Sequence, residues 1–358
     1  NLLRLKSMLI QQNWETAVAQ DPNEFFDKDS QKLTENDAAL PPKNYLQNTL
    51  FVFGKTPYPS SYCYDFYSNK KFWIACQPYR IPDSIMQQSA DACCRVALNG
   101  SGDDMIMLAD KQSSQITTYR SNGIAIACNE VSSCFIAMAT ANITTETADE
   151  LFVVSCENKR YKLDCFSLSW NPTAYVSSAL TMTEFSDSTT KDMQSYIHSL
   201  PEGSFLGLCG LRGSAVLYED NTRNADAMCV AHLDQTEGEK IVLKFFHCAL
   251  DSCCLPSENL YRVNENGQIL MTGLDADCTR SEDLAILEQK GREYNWLIYK
   301  LTKDGVVFRD RKRDYFGENY MNNICVCVTR KTIHLKGVKH KDSSFPVRND
   351  AFALKNNI

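Results

Sequence analysis

The chain is poor in glycine, poor in histidine and short of any long apolar run. No stretch reaches the roughly 18 apolar residues that a membrane-spanning helix needs. The opening "NLLRLKSMLIQQNW" lacks the succession of basic, apolar and small residues that marks a signal peptide. Positive charge is not in excess either: the net charge is −7 over 358 residues, which provides no electrostatic footprint for nucleic acid or an anionic membrane. There are five histidines, none beside a plausible serine or cysteine nucleophile with a local supporting acid, so nucleophilic catalysis has little to work with. The G-x-S-x-G elbow, the P-loop and the G-x-G-x-x-G turn are all missing. No cofactor is expected.

What is present is typical of a folded globular chain: 44% hydrophobic and 23% charged residues. Cysteine is plentiful, with sixteen. Most sit in apolar, strand-like runs such as "ACCRVAL", "SSCFIAM", "LFVVSC" and "ICVCVT", where a free thiol behaves as a small buried hydrophobe. That usage favours a reducing, cytoplasmic setting. Two sequons, Asn99-Gly-Ser101 and Asn142-Ile-Thr144, keep open an extracellular, disulfide-stabilised receptor or attachment protein as the alternative.

The stretch "CYDFYSNKKFWIA", Cys63 to Ala75, reads as two strands about a polar turn, and the pattern recurs. Apolar strands "LFVFG", "MIMLA", "LFVVS", "FLGLC", "LKFFH" and "LAILE" are each followed by an aromatic strand and turn. Eleven residues separate Phe53 from Tyr64, Leu108 from Tyr119 and Val154 from Cys165. Asn122-Gly123, Asn266-Gly267 and Asp304-Gly305 supply the positive φ of tight hairpins. Six copies of about four strands each, with no helical period between them, predict an all-β fold: a six-bladed β-propeller. Because an open ring exposes strand edges, "NICVCVT" near the C-terminus is expected to close blade one. Residues 1–46 read as a helical lead-in and linker, 47–337 as the propeller and 338–358 as a polar extension.

The copies resemble the kelch repeat, most closely in "LFVFGKTPYPSSYCYDFYSNKKFW" with Gly54, Tyr64, Asp65 and Trp73, and again at Trp170. Small residues Gly54, Ala109, Ser155 and Cys209 stand where that repeat begins its double glycine. The resemblance implies a non-enzymatic interaction module, such as the substrate receptor or adaptor of a cullin-RING ubiquitin ligase acting with an upstream domain, or a cytoskeletal scaffold. Six-bladed sialidases are the enzyme rivals on a propeller, and their repeated S-x-D-x-G-x-T-W box is absent.

In such a ring the loops between strands two and three, with the blade-to-blade loops, gather at one end. That face is expected to carry Tyr58, Arg80, Lys111, Arg160, Tyr161, Arg212, Arg292, Tyr294, Trp296, Arg311, Arg313 and Tyr315. Tyr, Trp and Arg bury large areas or grip carboxylates bidentately, which suits a protein or peptide partner with acidic character. The run "RDRKRD", Arg309 to Asp314, is the sharpest local feature, although it can also pair with itself. His247, Cys248, Cys253, Cys254 and Cys278 are the densest soft ligands but lack a paired C-x2-C spacing. They sustain only a weaker alternative, a metal-dependent propeller enzyme. Asp103-Asp104 reads as a solvated turn.

Overall fold

A computed structural model describes residues 44–54, 62–68, 73–75, 79–80, 90–98, 104–120, 123–144, 148–173, 179–214, 226–236, 238–264, 266–276, 281–314 and 324–334. The expected lead-in helix and the C-terminal extension lie outside them. The strands are β1 (Asn44–Gly54), β2 (Tyr62–Ser68), β3 (Trp73–Ala75), β4 (Tyr79–Arg80), β5 (Ala92–Val96), β6 (Met105–Asp110) and β7 (Gln115–Tyr119). They continue with β8 (Ala125–Glu130), β9 (Phe135–Ala141), β10 (Glu150–Glu157), β11 (Arg160–Trp170), β12 (Leu180–Glu184), β13 (Phe205–Leu211) and β14 (Ala227–Asp234). The last are β15 (Lys240–Phe246), β16 (Ser252–Cys254), β17 (Met271–Leu274), β18 (Asp283–Lys290), β19 (Glu293–Thr302), β20 (Gly305–Asp314) and β21 (Ile324–His334).

The fold is all-β, with antiparallel blades in a propeller arrangement. Four sheets have four strands each: β5 to β8, β9 to β12, β13 to β16 and β17 to β20. The remaining sheet has the order β21-β1-β2-β3, with β4 also pairing β2. These sheets are called blades two, three, four and five, and the last-mentioned is blade one. Their innermost strands are neighbours in a closed cycle, β21 to β5, β5 to β9, β9 to β13, β13 to β17 and β17 back to β21. Each junction between neighbouring blades has its own hydrophobic cluster. The expected closure by the C-terminal strand is present: β21 pairs β1 along its length, from Asn44↔His334 to Gly54↔Ile324.

The expected count of six is not what the described residues form. "FLGLC" and "LKFFH", read as the first strands of two copies, are β13 and β15 of the same blade. "NLYRV" is no blade strand of its own. It leads into blade five, with Tyr261 bridged to Glu288 and Val263 to Ile269. Physically, the innermost strand β13 is buried on both faces and has the apolar texture of a second strand, and the third strand β15, although only partly buried, is apolar enough to be read as one, so copies four and five were split at the wrong strand.

Burial falls outward along blades two to five. β5 is buried at every position, whereas β16 is exposed or half-buried throughout. Tight turns keep the strands in register. Gly123 and Gly305 take φ of 84° and 137° at the Asn-Gly and Asp-Gly hairpins, and Asn158 and Lys159 adopt 49° and 68° between β10 and β11.

One helix, α1 (Ser188–Ser199), stands between blades three and four, where the sequence reading expected none. Its Ser- and Thr-rich first turn hides it, but Asp187 forms a capping box with Thr190. Met193 and Ile197, four apart, bury one face in the junction of those blades. No helix among the described residues is long and apolar enough to cross a membrane.

Candidate functional site

Second strands in this fold begin the same way in every blade. Asn48, Asp104, Asp149, Asp226 and Glu282 each stand one or two residues before a run of buried apolar residues, and each is itself buried. Their side chains reach back to the end of the preceding blade's innermost strand. Asp104 Oδ2 accepts the Arg330 N–H at 2.7 Å, and Asp149 Oδ2 accepts that of Ala97 at 2.6 Å. Asp226 Oδ2 accepts the Asn142 N–H at 2.8 Å, and Glu282 Oε2 that of Arg212 at 2.9 Å. At the seam between blades five and one, the Asn48 amide donates to the Asp275 carbonyl at 2.9 Å. Each junction of the ring therefore carries one clamp of the same kind, and each satisfies a backbone group that would otherwise be stranded at a strand end.

Four carboxylates gathered at one mouth of the axis require cations, and two arginines supply them. Arg212 Nη1 donates to both oxygens of Asp104, at 2.7 and 2.8 Å, and its Nη2 to Asp149 at 3.2 Å. Arg95 crosses from blade two to form a bidentate pair with Glu282 of blade five. Glycine makes the room. A Cβ on Gly210 would stand 1.9 Å from the Thr140 carbonyl oxygen, and one on Gly273 would strike the Glu282 carboxylate. Burial works against the charge on Arg212, yet Asp104 and Asp149 hold its pKa well above the ordinary arginine value. Burial likewise disfavours ionised Glu282, but Arg95 outweighs it and the pKa is lowered. Asp226 has no such arginine in direct contact: burial, followed by repulsion from Asp149, pushes it up to about 6. This end of the ring is plugged by internally paired charge.

The other mouth of the axis opens into a cavity of ≈ 50 Å³ lined by residues of all five innermost strands, among them Cys93, Met138, Leu208, Met271 and Cys325. Asp91, Asn264 and Gln268 supply its polar wall.

The residues expected on the loop face do not converge into one site. Arg160 and Arg292 lie where expected, exposed at the turns between strands two and three of blades three and five. Lys111 is at the equivalent turn of blade two, half-buried with its ammonium 5.7 Å from the Phe135 ring centre. Arg311 and Arg313 are exposed on the outermost strand β20, and Arg311 pairs with Glu288 at 3.4 Å. Arg309 pairs with Asp283 and Lys312 with Asp310, so the cations of "RDRKRD" are largely paired, two of them with carboxylates of β18 and one within the run.

Five placements are corrections. Arg212 belongs to the plug at the opposite mouth, because "FLGLC" is an innermost strand and its end points that way. Tyr161 is buried against Phe205, its hydroxyl accepting the Gly203 N–H at 2.8 Å. Tyr294 and Trp296 alternate with outward-facing neighbours and enter the core between blades five and one, where the Trp296 indole donates to Asp314 at 3.1 Å. Asp104 is a clamp and not a solvated turn residue. Tyr58, Tyr315 and Asp103 lie outside the described residues, as does the side chain of Arg80 at the end of β4.

The soft ligands are dispersed. His247 Nδ1 lies 3.0 Å from the Asp226 carbonyl, Cys248 donates to the Ser214 carbonyl at 3.7 Å, and Cys253 and Cys254 are on edge strand β16. Cys278 lies outside the described residues, among which no three His, Cys, Asp or Glu side chains are grouped to hold a metal ion. All fourteen described cysteines are free thiols.

The clamp residues Asp149, Asp226 and Glu282, with Arg95, were not singled out from the sequence. Their signal is a polar residue one or two places before the apolar run of each second strand, visible once the strands are in register. No family model and no curated protein matches the chain.

Proposed function

We propose that this chain is a non-enzymatic protein-binding propeller that meets an acidic peptide segment through the end of the ring where strands two and three turn. One observation carries the reading. Arg160 and Arg292 sit exposed on corresponding turns of blades three and five and form no ion pair among the described residues, whereas the arginines of the axial plug are saturated by carboxylates. Unsatisfied guanidinium groups on rigid two-residue turns are suited to gripping carboxylates bidentately. The finer role, a kelch-like adaptor or substrate receptor of a cullin-RING ligase working in the cytoplasm, belongs to the same proposal and rests on the repeat resemblance. The free thiols favour it over the extracellular alternative. So does the second sequon, whose Asn142 backbone is held in a ring clamp and whose Thr144 hydroxyl donates to Glu150.

The test is selection of binders from a displayed peptide library, followed by titration of the selected peptides. Enrichment of acidic peptides, with affinity reduced about tenfold or more in the R160E/R292E variant, is the expected result. Unchanged affinity in that variant, with an unaltered circular dichroism spectrum, would remove this face from the account.

A further inference from the structure

The ring closes where β21, near the C-terminus, packs beside β5 of blade two. Three thiols meet at that seam. Cys325 and Cys327 are two apart on β21 and so share a face of the strand. The Cys93 thiol of β5 packs in one cluster with both of them. The neighbouring Cys94 points into the opposite cluster, between blades two and three. Access separates the three. Cys93 and Cys325 line the axial cavity, and Cys327 does not. Cys325 is half-buried and Cys327 fully buried.

We propose that Cys93 and Cys325 form a peroxide-sensitive dithiol whose oxidation to a disulfide locks the ring at its closing strand. The cavity selects the oxidant. At ≈ 50 Å³ it admits a molecule close to water in size, such as hydrogen peroxide, and not a peptide disulfide such as oxidised glutathione. In the first step the Cys325 thiolate attacks peroxide: an S–O bond forms, the O–O bond breaks, and the departing hydroxide takes up the thiol's proton to become water. In the second, the Cys93 sulfur attacks the Cys325 sulfur: the S–S bond forms, the S–O bond breaks, and a second water leaves with the Cys93 proton. Two thiols and one peroxide become one disulfide and two waters. Burial pushes the Cys93 thiol up, so it is the resolving partner and Cys325 the one oxidised first. The bond joins positions 93 and 325, closing a loop that spans blades two to five. A cross-link of that kind restrains the unfolded chain strongly, and a small thiol reverses it.

The experiment treats the full chain with hydrogen peroxide, blocks residual thiols with iodoacetamide, and maps the peptides without reduction. Because Cys94 and Cys327 accompany the pair in the same peptides, the C94S/C327S variant is mapped beside the wild type. Both should give one peptide linking Cys93 to Cys325, and the oxidised wild type should unfold in denaturant more slowly by about tenfold or more. Dithiothreitol should abolish both changes. In the C93S variant, dimedone added together with denaturant after the peroxide treatment should label Cys325 as its sulfenic acid. Accumulation of that sulfenic acid in the wild type without a link, a link that survives C325S, or oxidised glutathione acting as fast as peroxide would each overturn the proposal.

Discussion

The two ends of this ring use arginine in opposite ways. Where strands one and two turn, Arg95 and Arg212 are buried at 6% and 8% exposure, each tied to carboxylates from other blades. Where strands two and three turn, Arg160 and Arg292 stand in water. The first pair is structure: removing one partner would strand charge in a low-dielectric centre. The second pair costs the fold little and is therefore free to do other work. Residue type alone does not separate a binding arginine from a structural one. Its position along the blade does, because the innermost strand ends in the crowded axis and the turn between strands two and three ends in solvent.

The comparison can be broken most forcefully at the axis. Arg212→Met leaves Asp104 and Asp149 buried without their cation, and chemical denaturation should show a loss of roughly 3–5 kcal/mol. Survival of full stability would mean the plug is not a paired network. Gly210→Ala should cost somewhat less, about 1–3 kcal/mol, as the added methyl displaces the Thr140 carbonyl. Gly203→Ala, whose added methyl has nothing within 4 Å, supplies a contrast in which backbone strain acts without crowding.

Asp226 sharpens the comparison through pH. Its folded pKa of about 6 lies above the ordinary aspartate value of 3.8. Below about pH 4 both states hold the proton. Between about 4 and 6 the unfolded chain releases it while the folded protein keeps it, so this group makes stability fall as pH rises, by about 3 kcal/mol, and adds nothing further above that window. Asp226→Asn should lack this component. The stability of the variant relative to the wild type should climb from pH 4 to pH 6 and then level off, with any offset from the altered hydrogen bond to Gly213 independent of pH. The smallest effect belongs to the rim: Arg160→Ala and Arg292→Ala should each change stability by no more than about 0.5 kcal/mol.

Much of the ring was legible in the sequence. Copies one, two, three and six were found correctly because an apolar second strand is followed at near-regular spacing by an aromatic third strand, with local turn signals between strands three and four, Asn-Gly in blade two and Asp-Gly in blade five. The closing strand was legible for a topological reason, since "TLFVFG" had no inner neighbour and "NICVCVT" had no other place. Blade four was not legible. Its second strand, "AMCVAHLD", follows a long connection from β13, so no fixed spacing marked the unit, and His247 at an expected small-residue position was the only warning. The error propagated to the site, because Arg212 was placed at the wrong mouth once β13 was taken for a second strand. Tyr161, Tyr294 and Trp296 failed for a different reason: an aromatic residue near a turn looks the same in sequence whether its strand alternation points it to solvent or to the core.

The central claim is that each junction of the ring is held by a polar residue at the start of a second strand, and amide hydrogen exchange tests it most directly. The N–H groups of Ala97, Asn142, Arg212 and Arg330 should exchange as slowly as those in the middle of β6 or β10, and Asp149→Ala should release Ala97 selectively while leaving the other three protected. Fast exchange at all four in the native protein, at the rate of an open turn, would contradict the account.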